Sequence, residues 1–385
     1  MTIRFKMLLW CLITAAFIFG YAGLIFPNQT AVLETPRPDA YQFQRLHIFL
    51  FNLVSGGTVL LYFTQGQQKL SQRLRLYLVG SIAFSLVAFL NIYSIAIGLA
   101  VLLALVVESV RIEKFTFWPF DFFSFSKPIS LKFHHAALLC LSVGLLISAG
   151  VMLENNYLHL LHLSRLLLDD FFLGFSFPLS LMAFSIMFSL DSDDQRLRVR
   201  FARISSFWVV TVGVIIFFVV IIAGILPLEF LASIVLLSDV LLIFYLFKLG
   251  LKRIDEPEEF LISGMLLLVL TGITGLMLVL WNVISVNNAA GWTLLLQTHA
   301  YLSLYGWNLV GFVVMIHFYE FPLRLHSMEM ILLHWVTIAV LAPAASQYGA
   351  LALIAIPLFA ILIRLLLFAP GSTHNFGEHS LLQDG

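Results

Sequence analysis

Charge is what this sequence has least of. Its 21 Lys and Arg and 21 Asp and Glu make up 11% of 385 residues, against roughly a quarter in soluble domains. So few charges exclude a chain of this length that is covered by water. The two signs cancel to a formal net charge of zero, which leaves no basic footprint for nucleic acid. Cysteine is almost absent. Cys11 and Cys140 fall far apart inside apolar runs, without metal spacing, and read as small hydrophobes that say nothing about redox compartment. No stretch has the composition of an appended soluble domain.

Apolar residues fill the space left by charge. Hydrophobic side chains make up 61% of the chain, with 37 Phe suited to lipid-facing and interhelical packing, so the expected partner is a lipid bilayer and the fold class is all-α and polytopic. Twelve apolar spans can be counted, at 7–26, 46–64, 74–90, 92–110, 134–153, 160–190, 204–225, 228–248, 260–281, 294–318, 328–345 and 349–368. The third and fourth share one run with Asn91 as its turn signal. The sixth is overlong, as if it began with an interfacial turn. Arg4 and Lys6 before the first run resemble a signal peptide, but the run is about 20 residues long and has no small-x-small cleavage site, so a retained span is expected. The domain reading is one twelve-helix membrane domain over 1–370 and a short cytoplasmic tail over 371–385.

Basic residues test that count. With the N-terminus inside, 18 of the 21 Lys and Arg fall on the inner side, and only Arg37, Arg45 and Arg165 on the outer. This asymmetry obeys the positive-inside rule and places both termini in the cytoplasm.

The topology places the histidines. His47, His162 and His299 each lie near the start of an outside-to-inside span, the second, sixth and tenth, with glycines following each. Recurrence on every fourth helix suggests three related four-helix units, and the glycines would let helices or a flat ligand approach closely. His159 would share a face with His162 if the helix has begun by then. His134 and His135 are adjacent, so they point about 100° apart on a helix, and an interfacial role is expected of them rather than joint ligation. Asp169 and Asp170 follow His162 by about two turns, and Asp239 stands mid-span. An ionised carboxylate there is costly, so these three are candidates for a proton path, or for protonated structural groups in the case of Asp239.

Twelve spans with histidines opening the second, sixth and tenth resemble the catalytic subunit of the heme–copper oxygen reductases and their nitric oxide reductase relatives, a pseudo-threefold twelve-helix fold. Arg45-Leu46-His47 with Gly56-Gly57 is similar to the family's second helix. His162-Leu163 with Asp170 and Gly174 resembles the nitric oxide reductase sixth helix, and His299-Ala300-Tyr301-Leu302-Ser303-Leu304-Tyr305-Gly306 resembles the tenth-helix His-x-His-Leu-x-Leu-aromatic-Gly pattern. The resemblance implies His47 and His299 as heme ligands, Arg45 as a propionate partner, Tyr301 in the place of the second tenth-helix histidine, and His162 as a remnant of the non-heme metal site. It also implies heme b, a bacterial inner membrane and other respiratory membrane subunits as partners.

The departures bear on activity. Position 301 is Tyr, the seventh span has no histidine pair, and the glutamate four residues after the sixth-helix histidine is Leu166. The last outer loop, Ser346-Gln347-Tyr348, has no arginine. One imidazole cannot fix a copper that needs three or four ligands, whereas one axial histidine suffices for a heme. The expectation is therefore a heme b protein without a complete binuclear site and without copper, acting in electron transfer, in sensing or as a respiratory accessory. The alternatives are a cofactor-free transporter or scaffold on the same fold, and a divergent terminal oxygen or nitric oxide reductase.

Overall fold

A computed structural model describes residues 1–25, 43–66, 70–160, 174–190, 196–250, 256–284, 289–318 and 327–369. Among these residues every regular element is a helix. Among the described residues ten helices are long and apolar enough to cross a membrane.

In chain order, α1 is Ile3–Ile25. The second helix, α2, starts at Phe43–Ile48, winds as a π-helix over Phe49–Gly56 and returns to α geometry over Gly57–Thr64. Helices α3 (Gln72–Phe89) and α4 (Tyr93–Lys114) follow, then α5 (Ile129–Leu153, with a π turn over Glu154–Leu158) and α6 (Phe177–Leu190). Helices α7 (Leu197–Ala223), α8 (Leu226–Gly250) and α9 (Glu256–Ile284) come next. The tenth, α10, runs through Ala289–Tyr301, a π stretch over Leu302–Asn308, and Leu309–Ile316. Helix α11 combines Met328–Trp335, a π stretch over Val336–Leu341 and Ala342–Gln347, and α12 is Ala352–Phe368.

Local chemistry sets several boundaries. Asn91 takes a left-handed φ of 57°, which Asn tolerates better than most residues, and so breaks the apolar run between α3 and α4. Ser71 caps α3, its hydroxyl accepting from Leu74 N–H at 3.1 Å. Gly224 at φ 69° ends α7. Pro343 lacks the amide that an α-helix needs at that point, which accounts for the π stretch just before it. His159 has a left-handed φ of 50° and ends the turn at Leu158, so no helix continues through it and the shared face expected with His162 does not arise from this side.

The helices sort into an inner and an outer set. Every residue from Arg45 to Thr64 on α2 is buried, as is every residue from Tyr301 to His317 on α10 except Ser303, and α6 is buried from Leu181 to Phe188. These three helices touch one another and run parallel. Asn308 donates to Asn52 Oδ1 (3.5 Å) and to the Ser176 carbonyl (3.2 Å), and accepts from the Ser180 hydroxyl (2.8 Å). One turn or more further along, Gly56 lies against Leu179 and Gly311 against Ala183. In hydrocarbon, helices gain nothing from leaving lipid, so close approach and interhelical hydrogen bonds hold them together. The glycines after His47 and His299 therefore serve contact between helices. The outer set is inside out by the standards of a soluble protein. Ile215, Ile216 and Val219 on α7 and Leu231 and Leu241 on α8 are exposed, the surface a lipid-facing helix requires.

Candidate functional site

His47 sits where α2 meets α1 and α10, and only 3% of it is exposed. Its Nδ1 lies 2.9 Å from the Ala16 carbonyl and 3.0 Å from the Tyr305 hydroxyl. A carbonyl can only accept, so Nδ1 carries the proton and the lone pair of the neutral ring falls on Nε2. The close approach to α1 needs Gly20, since a Cβ there would stand 2.9 Å from His47 Nδ1 and 3.1 Å from the Tyr301 hydroxyl.

His299 is held the same way on the other side of α10. Its Nδ1 donates to the Thr271 carbonyl at 3.0 Å, with the Thr274 hydroxyl at 3.2 Å as a second acceptor. Gly275 makes room, its missing Cβ falling 3.1 Å from His299 Cε1. Residues 299 and 301 are two apart on a helix, about 200°. Tyr301 and Tyr305 therefore face His47 while His299 faces α9. A single heme shared by His47 and His299 would need α10 to be rotated, and it is not.

The space between His47 and position 301 is full. The His47 ring centroid lies 6.2 Å from that of Tyr301 and 5.3 Å from that of Tyr305. Phe17 packs on both tyrosines at 5.7 and 5.1 Å and stacks on Phe359 of α12 at 3.8 Å. Tyr301 also stacks on Tyr21, whose hydroxyl donates to the Ala342 carbonyl at 3.2 Å. Phenyl and phenol rings thus occupy the space beside His47 that a macrocycle would need. The donor chemistry at His299 fits a heme ligand. Its Nδ1–H is fixed by a carbonyl in the manner of metal-bound histidines, and its Nε2 makes no hydrogen bond to a described residue.

The other candidates separate from this pair. Arg45 is buried, and its Nη1 donates to the Ala88 carbonyl (3.1 Å), Asn91 Oδ1 (3.2 Å) and the Tyr93 hydroxyl (3.3 Å). It neutralises the carbonyl end of α3, a favourable place for a cation. Asp239 is buried on α8 with the Ser206 side chain of α7 facing it, and its Oδ2 has no partner among the described residues. His162, Asp169 and Asp170 lie outside the described residues. Among those described, no three His, Cys, Asp or Glu side chains gather as metal ligands would.

His134 and His135, expected as an interfacial pair, lie near the start of α5 and diverge as adjacent helical residues must, and both are fully buried within the protein. His134 Nε2 meets the Thr64 hydroxyl at 2.8 Å. His135 Nε2 accepts from Arg111 at 2.6 Å, because guanidinium can only donate. Compared with family models, with curated proteins and with solved structures, the chain finds no match.

Thr271, Thr274, Gly20 and Gly275 were not among the residues the sequence singled out, and Tyr305 appeared there only as the aromatic of the tenth-helix pattern. The glycines could have been found as small residues on faces that pack against an imidazole, but only once the pairing of α1 with α2 and of α9 with α10 is known.

Proposed function

We propose that this protein is a twelve-span membrane protein of the heme–copper reductase type that binds one b-type heme through His299. It would act in electron transfer or sensing at a bacterial inner membrane, alongside other respiratory membrane subunits. The observation that carries the reading is the Nδ1–H of His299 donating to the Thr271 carbonyl, which leaves Nε2 as a lone-pair donor. The pseudo-threefold arrangement is supported by the mutual contact and common direction of α2, α6 and α10, every fourth helix of the chain, with His47 on α2 and His299 on α10. When bound, the heme supplies a one-electron Fe(III)/Fe(II) couple. The chain's own part is to orient the imidazole, with α9 and Gly275 holding it from behind.

The test is absorbance. Purified in mild detergent, with heme supplied during expression, the protein should show a Soret band and b-type peaks on reduction with dithionite. A colourless protein under these conditions would refute the reading. A second reading, a cofactor-free scaffold or transporter on the same fold, is favoured by the aromatic filling between His47 and Tyr301.

A further inference from the structure

The connection between α4 and α5, residues 115–128, is built differently from an ordinary loop. Its aromatic residues divide into two groups. Phe115 and Phe122 turn inward and hold the imidazole of His135 between them, Phe115 nearly parallel at 4.7 Å and Phe122 at 4.9 Å. Phe117, Trp118, Phe120, Phe123 and Phe125 turn outward and are each between 60% and 70% exposed.

The backbone beneath them is fastened by basic side chains. Arg111, itself buried, donates to the carbonyls of Thr116 and Phe117 at 2.9 Å each and is held by Glu108 at 2.7 Å. Lys132 donates to the Phe122 carbonyl at 3.0 Å, and Arg200 donates to that of Phe125. Five exposed aromatics on a fastened backbone cannot fold away into the protein, and each large apolar side chain left in water forgoes about 1.5–3 kcal/mol of burial.

We propose that this loop is a membrane-interface anchor for anionic phospholipid, its five outward aromatics seated at the headgroup–acyl boundary. Two observations choose this occupant. The loop is continuous with the membrane-crossing surface, since α4 ends at Lys114 and α5 begins at Ile129, and aromatic rings favour that boundary. Charge complements it. Lys114 and Lys127 flank the loop and Arg196, Arg198 and Arg200 open α7 beside it, with Asp121 as the acid within the loop, and cations at this depth attract anionic headgroups.

The experiment places a nitroxide at Phe120→Cys or Phe123→Cys, each in a Cys11→Ser/Cys140→Ser background, in nanodiscs of phosphatidylcholine with phosphatidylglycerol. Collision with oxygen should exceed collision with a water-soluble nickel chelate several-fold at both sites. The reverse ratio would place the loop in water and overturn the proposal. Low access to both reagents would overturn it too, assigning the surface to a protein, and loss of spin–spin broadening on dilution with unlabelled chains would identify that protein as a second copy. The headgroup is tested by Lys114→Gln/Lys127→Gln, which leaves the inward anchors untouched. The preference of bound lipid for phosphatidylglycerol over phosphatidylcholine should fall at least about twofold, and an unchanged preference would overturn the anionic assignment.

Discussion

At His47 the imidazole donates to a carbonyl of α1 and meets Tyr301 and Tyr305 edge-on. At His299 the same ring atom donates to a carbonyl of α9, with a threonine hydroxyl as its further neighbour. A glycine on the neighbouring helix lies against each ring. The two sites share a tautomer and a means of support, and they differ in the surroundings. Phenol and phenyl rings pack the first into an apolar core, where an extra methyl group has nowhere to go. The second stands half-buried, with its Nε2 unbonded among the described residues. An identical local device thus stands in two different surroundings, and under the heme proposal what lies beyond the ring decides which imidazole can ligate.

The comparison breaks most sharply on the histidines themselves. His299→Ala should remove the Soret band, or reduce heme content at least about tenfold, the cost typical of losing a metal ligand or its close support. His47→Ala should leave the spectrum in place and lower stability instead, by about 2–4 kcal/mol, as a cavity opens among Phe17, Tyr301 and Tyr305. Heme content per chain and thermal unfolding in detergent measure the two effects. If His47→Ala bleaches the protein while His299→Ala does not, the roles are reversed.

Restoring the family's histidine tests the filled site directly. Tyr301→His should yield no six-coordinate low-spin spectrum, because Phe17 and Phe359 still occupy the slab a macrocycle needs. It should lose about 1–2 kcal/mol with the contacts of Tyr301 to Tyr21. The supporting glycines should separate in the same sense. Gly20→Ala drives a methyl into the His47 ring and should cost about 1–3 kcal/mol of stability without altering heme content. Gly275→Ala should shift His299 by a few tenths of an ångström and reduce heme content several-fold, with unfolding changed by less than about 1 kcal/mol. Equal effects of the two glycine variants on heme content would erase the distinction between the sites.

Much of this fold is legible from hydropathy, since hydrocarbon demands long apolar helices and leaves a strong signal. Asn91 marked the α3–α4 turn, and ten of the twelve expected spans correspond to helices long and apolar enough to cross. The other two are less regular. Helix α3 dilutes its apolar run with Arg73 and Arg75, and α6 is a shorter apolar helix whose preceding residues, 161–173, lie outside those described. The site was less legible. Spacing placed His47 and His299 on two central helices, but the filling between His47 and Tyr301 comes from Phe17, Tyr21 and Phe359, which lie far away in sequence on helices with no motif of their own. The burial of His134 and His135 was hidden for a similar reason. Position near a span end suggests water, yet Phe115 and Phe122 fold back over His135 from the connection between α4 and α5, and Arg111 of α4 bonds it.

The smallest effect comes from the hydroxyl behind His299. Thr274 Oγ1 donates to the carbonyls of Leu270 and Thr271, a bonding pattern internal to its own helix, and accepts weakly from His299 Nδ1 at 3.2 Å. Thr274→Val removes that acceptor while the stronger bond from Nδ1 to the Thr271 carbonyl remains. Stability should change by less than about 1 kcal/mol, since the lost hydroxyl bonds only back into its own helix. Hydrogen bonding at Nδ1 makes the ligand more basic, and a more basic axial imidazole favours ferric iron. Thr274→Val should therefore raise the reduction midpoint, by about 10–30 mV, at most about half of the 59 mV that corresponds to a tenfold change in a one-electron equilibrium. Potentiometric titration of the b-type absorbance reads this shift. A midpoint that moves downward, or does not move, would mean that the Nδ1 hydrogen bonds of His299 do not tune the heme.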